Sequence, residues 1–351
     1  MKIHEIINRV RSNDSITLMM LKDITRKDVN ELDYQTDAII LHSGTIHDVY
    51  IVKALIQKGL NIKGLNNKGE TALFTQQNPE VLQLLISKGL SVNQKAEHGQ
   101  TALMSHADNI DRVKILVEAG ADINAKTHYD STVAFFITDT SVLDYLTENG
   151  LDLSVQNKSG EIPLFKREIF KNPLLFKAFV DKGADINATA IHGKNTIMKH
   201  ISLLNTNENC ADALKTLKIA VEKGLNIYHE DDYGNTLFKE VQSSSVLRAI
   251  FNEDELNLNR QKSDGETLFE NMDFKYIAQD LYLSGHLEES TLFSIPENRS
   301  VGDYLIKSLH SSFPEESQKL IVLKEKLQII HSLHGNVPAE SELKHDHKKR
   351  L

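Results

Sequence analysis

Two series of glycines run through this chain in a fixed register, and that register limits the possible folds more than any other feature. Gly59, Gly89, Gly120, Gly150, Gly183 and Gly224 step by 30, 31, 30, 33 and 41 residues. A second series lies ten residues after each: Gly69, Gly99, Gly160, Gly193, Gly234 and Gly265, with Asp130 filling the slot where a glycine is absent. The surrounding sequence repeats with them. LIQKGLNIKGLNNKGETALF (55–74) aligns with LISKGLSVNQKAEHGQTALM (85–104), LVEAGADINAKTHYDSTVAF (116–135) and LTENGLDLSVQNKSGEIPLF (146–165). FVDKGADINATAIHGKNTIM (179–198) and AVEKGLNIYHEDDYGNTLFK (220–239) continue the series, and IFNEDELNLNRQKSDGETLF (250–269) is a weaker copy. One such unit cannot cover its own apolar face, so a chain built this way must stack its units.

Each position has a physical reason. The first glycine follows an apolar helical run such as VLQLLISKG, where the chain must leave the helix through a left-handed turn. Glu255 replaces it in the weakest copy, which predicts an altered turn there. The next residues read as a short extended stretch with one inward apolar side chain: Ile62, Val92, Ile123, Leu153, Ile186, Ile227 and Leu258. The second glycine makes a tight turn at a hairpin tip. Thr71, Thr101, Thr132, Thr196, Thr236 and Thr267 are placed to cap the following helix by accepting a backbone N–H.

These residues resemble the ankyrin repeat family. The family pattern of helix, Gly-Ala-Asp-Ile-Asn-Ala, hairpin tip, Asp-Gly-x-Thr-Pro-Leu and second helix is nearly complete at 116–126 and 179–188, and the resemblance covers roughly residues 33–286. It implies an all-α ankyrin-repeat solenoid of helix-turn-helix units with short β-hairpin-like loops and helical caps at both ends. Ankyrin repeats usually run ~33 residues, and several copies here are shorter. The missing residues fall between the Thr and the next helix, as in TALFTQQNPEVLQ, where Asn78-Pro79 makes the turn, so the inner helices should be clipped. The interval 195–222 is longer instead, and its Asn-rich segment near 204–211 reads as a projecting loop.

Four regions are expected: an N-terminal helical cap over 1–32, about eight repeats over 33–286, a degenerate helical repeat or cap over 287–337, and a disordered tail over 338–351. In the cap, 3–10 and 16–24 read as helices, and Val29-Asn30 with AIILHS (38–43) reads as a degenerate copy. FKYIAQDLYLSGHLEES (274–290) repeats the helix-Gly pattern once more. Residues 302–311 and 315–334 read as two helices, the second amphipathic through Leu320, Leu323, Leu327, Ile330 and Leu333.

Composition excludes several functions. Forty basic against forty-nine acidic side chains leave a net charge of −9, which opposes a general nucleic-acid grip. No stretch reaches the ~18 apolar residues of a membrane helix, and MKIHEIINRVRSNDS has neither the apolar core nor the cleavage site of a signal peptide. The single cysteine, Cys210, excludes an intrachain disulfide and a Cys-based zinc cluster. It fits a reducing, cytoplasmic setting.

No catalytic or metal constellation stands out, and no cofactor is expected. Cys210 has His192 and His200 in its repeat, but a nucleophilic thiol needs a base in reach and an oxyanion site. His331 and His334 lie three apart without a third ligand. The basic stretch Lys344 to Arg350 reads as a solvated cluster. The rival to a non-catalytic chain is an enzyme or enzyme-modulating effector, with activity in the C-terminal helical segment or the Cys210 insert.

Hairpin tips contribute little to the core and are free to specify a partner. In a solenoid they line a concave groove with the inner helices. His98, His128, Tyr129, Ile191, His192 and Tyr233 are the partner-binding candidates, because Tyr129, Ile191 and Tyr233 are aromatic or apolar where exposure is expected. The resemblance further implies that asparagines of the Asp-Ile-Asn segment are candidates for hydroxylation in animal cells. Asn124 and Asn187 match, with Leu116 and Phe179 eight residues before them. The expected function is therefore a monomeric scaffold that binds another protein through the ankyrin groove. The Lys-, Asn- and Ile-rich composition resembles proteins of AT-rich bacterial genomes, and for a bacterial chain the ankyrin resemblance implies either an effector acting on a host protein after export without a signal peptide or a housekeeping binding protein. The polar tail with Glu340 and Glu342 is compatible with that route.

Overall fold

The computed structural model describes residues 21–22, 25–30, 48–205, 211–241, 246, 249–250, 282–283, 301–310 and 313–333. Five nine-residue helices share one design: α1 Val49–Gln57, α2 Pro79–Ser87, α3 Ile110–Glu118, α4 Thr140–Glu148 and α5 Pro173–Asp181. Each buries a narrow stripe at helical spacing, such as Val81, Leu82 and Leu85 in α2 or Leu175, Phe176 and Phe179 in α5. Each also starts on an Asp or Asn whose side chain accepts a backbone N–H: Asp48, Asn78, Asn109, Asp139 and Asn172. Pro79 and Pro173 take the first helical position, where a missing N–H costs nothing.

The chain divides into two units, one comprising residues 1–200 and 211–226, the other 201–210 and 227–351. In the first unit the helices pack in chain order, α1 on α2, α2 on α3, α3 on α4 and α4 on α5, with α7 Ala211–Glu222 on α5. Between them the inner segments are clipped to single 3-10 turns, Ala72–Phe74 and Val133–Phe135, or to the one-turn helix Ala102–Ser105, while the 3-10 turn Pro163–Phe165 is followed by a further helical turn, Arg167–Phe170. All the residues of those 3-10 turns are buried. Only at the longest glycine interval does the inner segment become a full helix, α6 Thr196–Leu204. The Asn-rich insert that follows lies largely outside the described residues.

The first glycine series turns left-handed as expected, with Gly120 at φ 87°, and Asp130 does hold the second-series slot at φ 61°. Two expectations are corrected. The stretch after the first glycine is a second turn rather than extended chain. Its inward residues differ in depth: Val92, Leu153 and Ile186 are buried, but Ile62, Ile123 and Ile227 only half so. Among the described residues no strand forms, and one isolated antiparallel bridge, Thr189 to Asn195, is the whole hairpin.

The threonines do not cap through their side chains. Thr71, Thr101, Thr132 and Thr236 precede the inner turns in extended conformation, and their hydroxyls are buried without a hydrogen-bond partner. Their backbone carbonyls close the turn instead, accepting from Phe74, Met104, Phe135 and Lys239 at 3.1–3.2 Å. A three-residue turn offers no room for a hydroxyl to reach a second amide.

In the second unit the 3-10 turn Leu237–Lys239 repeats the design, with Tyr228 tilted over Phe238 at 6.0 Å. Farther on, α8 Val301–Leu309 packs against α9 Pro314–Leu333. Leu305, Leu309 and Leu320 are buried between them, and Ser317 Oγ donates to the Ile306 carbonyl at 2.9 Å. The amphipathic stripe of α9 is only partly used, since Leu323 and Leu327 are half-buried and Val322 is exposed. Ile330 and Leu333 lie outside the described side chains. So do the weak copy at 250–269 beyond Ile250, the helix at 3–10, all of that at 16–24 but Leu21 and Lys22, the segment 38–43 and the tail.

Candidate functional site

The tips come in two forms, set by one residue three positions before the second-series slot. Where that residue is Asn66, Thr127, Asn157 or Asp231, its side-chain oxygen accepts from two backbone N–H groups of the tip. Asn157 Oδ1 takes Ser159 N at 2.8 Å and Glu161 N at 3.0 Å, and Thr127 Oγ1 takes Tyr129 N and Ser131 N, each at 3.2 Å. Ala96 and Ala190 have no such oxygen. In those tips the chain closes by winding left-handed at His98 (φ 62°) and His192 (φ 67°) as well as at the following glycine. The local conformation costs on the order of 1 kcal/mol at a non-glycine residue. The signal in the sequence is the Ala-x-His-Gly string, twice.

A ladder of single backbone hydrogen bonds joins the tips of the first unit. Glu97 N donates to Lys68 O at 2.8 Å, His128 N to His98 O at 2.7 Å, Lys158 N to Tyr129 O at 2.9 Å and Ile191 N to Ser159 O at 3.3 Å. The tips are thus a continuous, rigid edge rather than separate loops. Gly99 is required there: an added Cβ would stand 2.9 Å from the His128 backbone nitrogen.

On that edge the predicted side chains are displayed to solvent. Tyr129 is 59% exposed and Ile191 54%; His98, His128 and His192 are exposed too. The His98 ring tilts toward Tyr129 with centroids 6.0 Å apart, and His98 Nε2 lies 3.8 Å from Glu97 Oε1. Tyr233, 69% exposed, caps the equivalent tip of the second unit.

At the other end of each repeat, asparagines clamp neighbours together. Asn93 Nδ2 donates to Gly120 O at 2.9 Å while its Oδ1 accepts Asp122 N at 2.8 Å. Asn124 does the same to Gly150 and Asp152, and Asn187 to Gly224 and Asn226. Asn30 makes the same pair of bonds to Gly59 O and Asn61 N. The two hydroxylation candidates, Asn124 and Asn187, are therefore exposed residues whose side-chain amides each donate one hydrogen bond and accept one across a repeat joint.

Buried polar groups also link repeats. His106 Nε2 lies 2.7 Å from Leu73 O and His200 Nε2 lies 3.0 Å from Phe165 O. A carbonyl only accepts, so Nε2 carries the proton in both rings. Each histidine thereby satisfies a carbonyl left open by the clipped inner turn of the preceding repeat. His200 stacks on Phe170 at 4.7 Å. Burial pulls its pKa down to about 4, against a smaller upward pull from the Phe165 hydrogen bond. Burial likewise lowers that of His106. A histidine held neutral and bonded to backbone is a structural part, so His200 is not poised as a base for a thiol; Cys210 lies outside the described residues. Arg112, where other helices carry an apolar residue, is buried and reaches Gln77 and Asp108. On the helix faces Lys182 pairs with Asp144 at 2.9 Å, and Lys223 with Asp181. None of these links was legible in the spacing alone, except the asparagines, which recur at one position of the repeat.

Among the described residues no group of three or more His, Cys, Asp or Glu side chains is disposed to hold a metal. No described helix is long and apolar enough to cross a membrane.

Residues 39–127 match the ankyrin repeat family model in three copies. No curated protein sequence matches this chain. Among solved structures, the chain is similar to the ankyrin repeat domain of Bcl-3, a member of the IkappaB protein family. The identity is 20%, the TM-score 0.47, and the match covers 60% of this chain and 96% of that one. Residues 39–127 thus carry ankyrin repeats, and the same cycle of turn and helix continues beyond them to Lys239; ankyrin repeats serve in general as modules of protein–protein interaction.

Proposed function

We propose that this chain is a non-catalytic scaffold that binds another protein along its tip edge and the groove beside it. The observation that carries the reading is the exposure of Tyr129 and Ile191 on tips that are hydrogen-bonded to one another. A large side chain on a rigid mount loses little further entropy when a partner covers it, which is how interface anchors work. His98, His128 and His192 flank those anchors with polar contacts, and Tyr233 is the corresponding exposed side chain on a tip of the second unit. The partner acts on a monomer, and the repeats span 33–286 with caps outside them.

The Lys-, Asn- and Ile-rich composition supports an effector role, in which the partner is a host protein. Where the partner cell holds an asparaginyl hydroxylase, Asn124 and Asn187 are its targets. Their amides each hold two hydrogen bonds, so modification would be fastest when a repeat joint opens.

The test is quantitative affinity capture from eukaryotic and from bacterial lysates, using the wild type beside a Tyr129→Ala, Ile191→Ser, Tyr233→Ala variant. Proteins held by the wild type and lost by a natively folded variant would establish the tips as the site. Specific capture from the eukaryotic lysate alone would support the host role. Equal capture by both chains would reject the tip assignment.

A further inference from the structure

We infer that the tip edge of the first unit takes an extended acidic peptide, with Asp or Glu side chains on either side of one large apolar residue. This rests on the tips being the partner surface, and it adds the chemical class of the partner.

Charge is the first argument. The chain as a whole carries −9, yet its tip edge is basic. Lys68, Lys95, Lys126 and Lys158, one from each of four successive repeats, are all exposed on it. The acids nearby are mostly occupied or withdrawn. Glu70 accepts from Asn66 Nδ2 at 2.7 Å, and Glu161 accepts from Asn157 Nδ2 at 3.2 Å and pairs with Lys199. Asp130 is half-buried, which leaves Glu97 as the exposed acid of these four tips. The four exposed ammonium groups outnumber the exposed carboxylates beside them, Glu97 and the Asp152 that faces Lys126, so the edge attracts a polyanionic segment and repels a basic one.

Geometry supplies the second. The lysines do not cluster at one point but follow the line of the backbone ladder. Lys95 is fixed along that line, its Nζ donating to Lys126 O at 2.9 Å. A row of this kind suits an extended guest better than a compact one. One N–H or C=O of each tip is already spent on the neighbouring tip and others close the tip itself, so a continuous added strand has no open ladder to join and the guest is read by side chains.

Tyr129 stands in the middle of the row, 59% exposed, with the His98 ring 6.0 Å away. His98 keeps its place through a left-handed backbone that a non-glycine residue avoids unless held there. Together the two rings offer one apolar seat flanked by cations. A nucleic-acid strand is the other polyanion to consider. Against it stand the net charge of the chain and the presence of a single tyrosine on these tips, where stacking successive bases calls for several aromatic rings.

The experiment selects binders for the full chain from a displayed library of random peptides about 12 residues long, some 40 Å when extended. The same selection is run on Lys68→Glu/Lys95→Glu/Lys126→Glu/Lys158→Glu and on Tyr129→Ala/Ile191→Ser, each first shown to keep its native circular dichroism. Single Lys→Gln variants stand in if the quadruple variant does not fold. The expected result is enrichment of Asp and Glu around an apolar residue. Binding of the selected peptides should fall at least about tenfold on charge reversal and with rising salt. Peptides without acidic enrichment that are lost in Tyr129→Ala/Ile191→Ser would overturn the acidic class and leave the tip site standing. Binding indifferent to both variants would overturn the tip site itself. An oligothymidylate bound as tightly as the peptides, with the same loss on charge reversal, would overturn the peptide in favour of nucleic acid. Failure to select any peptide would overturn an extended linear guest.

Discussion

Asn124 grips Gly150 of the following repeat: its Nδ2 donates to the Gly150 carbonyl at 2.9 Å while its Oδ1 accepts Asp152 N at 3.0 Å. One side chain thus satisfies the carbonyl of a left-handed turn and the amide just beyond it. The same device operates from Asn30, Asn93 and Asn187, and Lys63 and Ser154 occupy the corresponding place where it is absent. Asn124→Ala should therefore lower stability by about 1–2 kcal/mol, two modest hydrogen bonds with partly exposed partners. Hydrogen exchange should locate the loss at the joint between α3 and α4 first, because contacts in a repeat stack are between neighbours. Uniform loss along the chain would contradict this.

Ala96→Asn should stabilise the chain. It restores the side-chain acceptor that Asn66 and Asn157 provide in other tips, and removes the need for a left-handed His98. A gain of about 0.5–1 kcal/mol in urea unfolding is expected. The backbone coupling constant of His98 should change to that of a negative φ. An unchanged coupling would mean that the tip ladder, not the missing oxygen, sets this conformation.

Thr132→Val should be neutral or stabilising, by up to about 1 kcal/mol. The Thr132 hydroxyl is fully buried without a partner, and an apolar group of the same shape removes that desolvation cost. A loss of more than 1 kcal/mol in thermal or urea unfolding, on the order of one hydrogen bond, would show that the hydroxyl has a partner after all.

Stability should fall on acidification because of His200. Its folded pKa is pushed down to about 4 from 6.5, so below pH 6.5 the unfolded chain binds the proton and the folded one does not. The contribution is intact above pH 6.5 and is lost as pH falls toward 4. It amounts to about 2.5 kcal/mol between pH 7.5 and 4.5. Lys199 and Arg167 add to the downward shift, and Glu161 opposes it. Urea midpoints of the wild type should drop more steeply over that range than those of His200→Gln, even if the variant starts lower. Parallel slopes would place the acid sensitivity elsewhere. His106, lowered by the same cause, adds to the effect in both chains.

How much could be read from the sequence depended on how far apart the cooperating groups are. The glycine turns, Asp130 in its slot and the clipping of the inner segments are matters of local backbone geometry, and the spacing carried them. Tyr129, Ile191 and Tyr233 could be named as exposed because tip positions lie outside the apolar period. The capping threonines misled. A Thr before an apolar run carries the same signal whether it caps or not: before the short inner turns its hydroxyl finds no amide, and at the full helix α6 it is Asn195, accepting from Met198 N at 3.0 Å, that serves the first turn while the Thr196 hydroxyl stays unpartnered.

The sequence by itself determined the repeat, its period, its core and the edge that faces solvent, since those follow from φ preferences and from which residues avoid water. The tertiary structure alone decided which oxygen serves which amide. Asn124 meets Gly150, His106 meets Leu73 and His200 meets Phe165 across 26, 33 and 35 residues of chain. The two histidine pairings exist because the inner turns leave carbonyls open, and a buried carbonyl must find its donor on the neighbour that covers it, whereas Asn124 serves the exposed left-handed turn at Gly150.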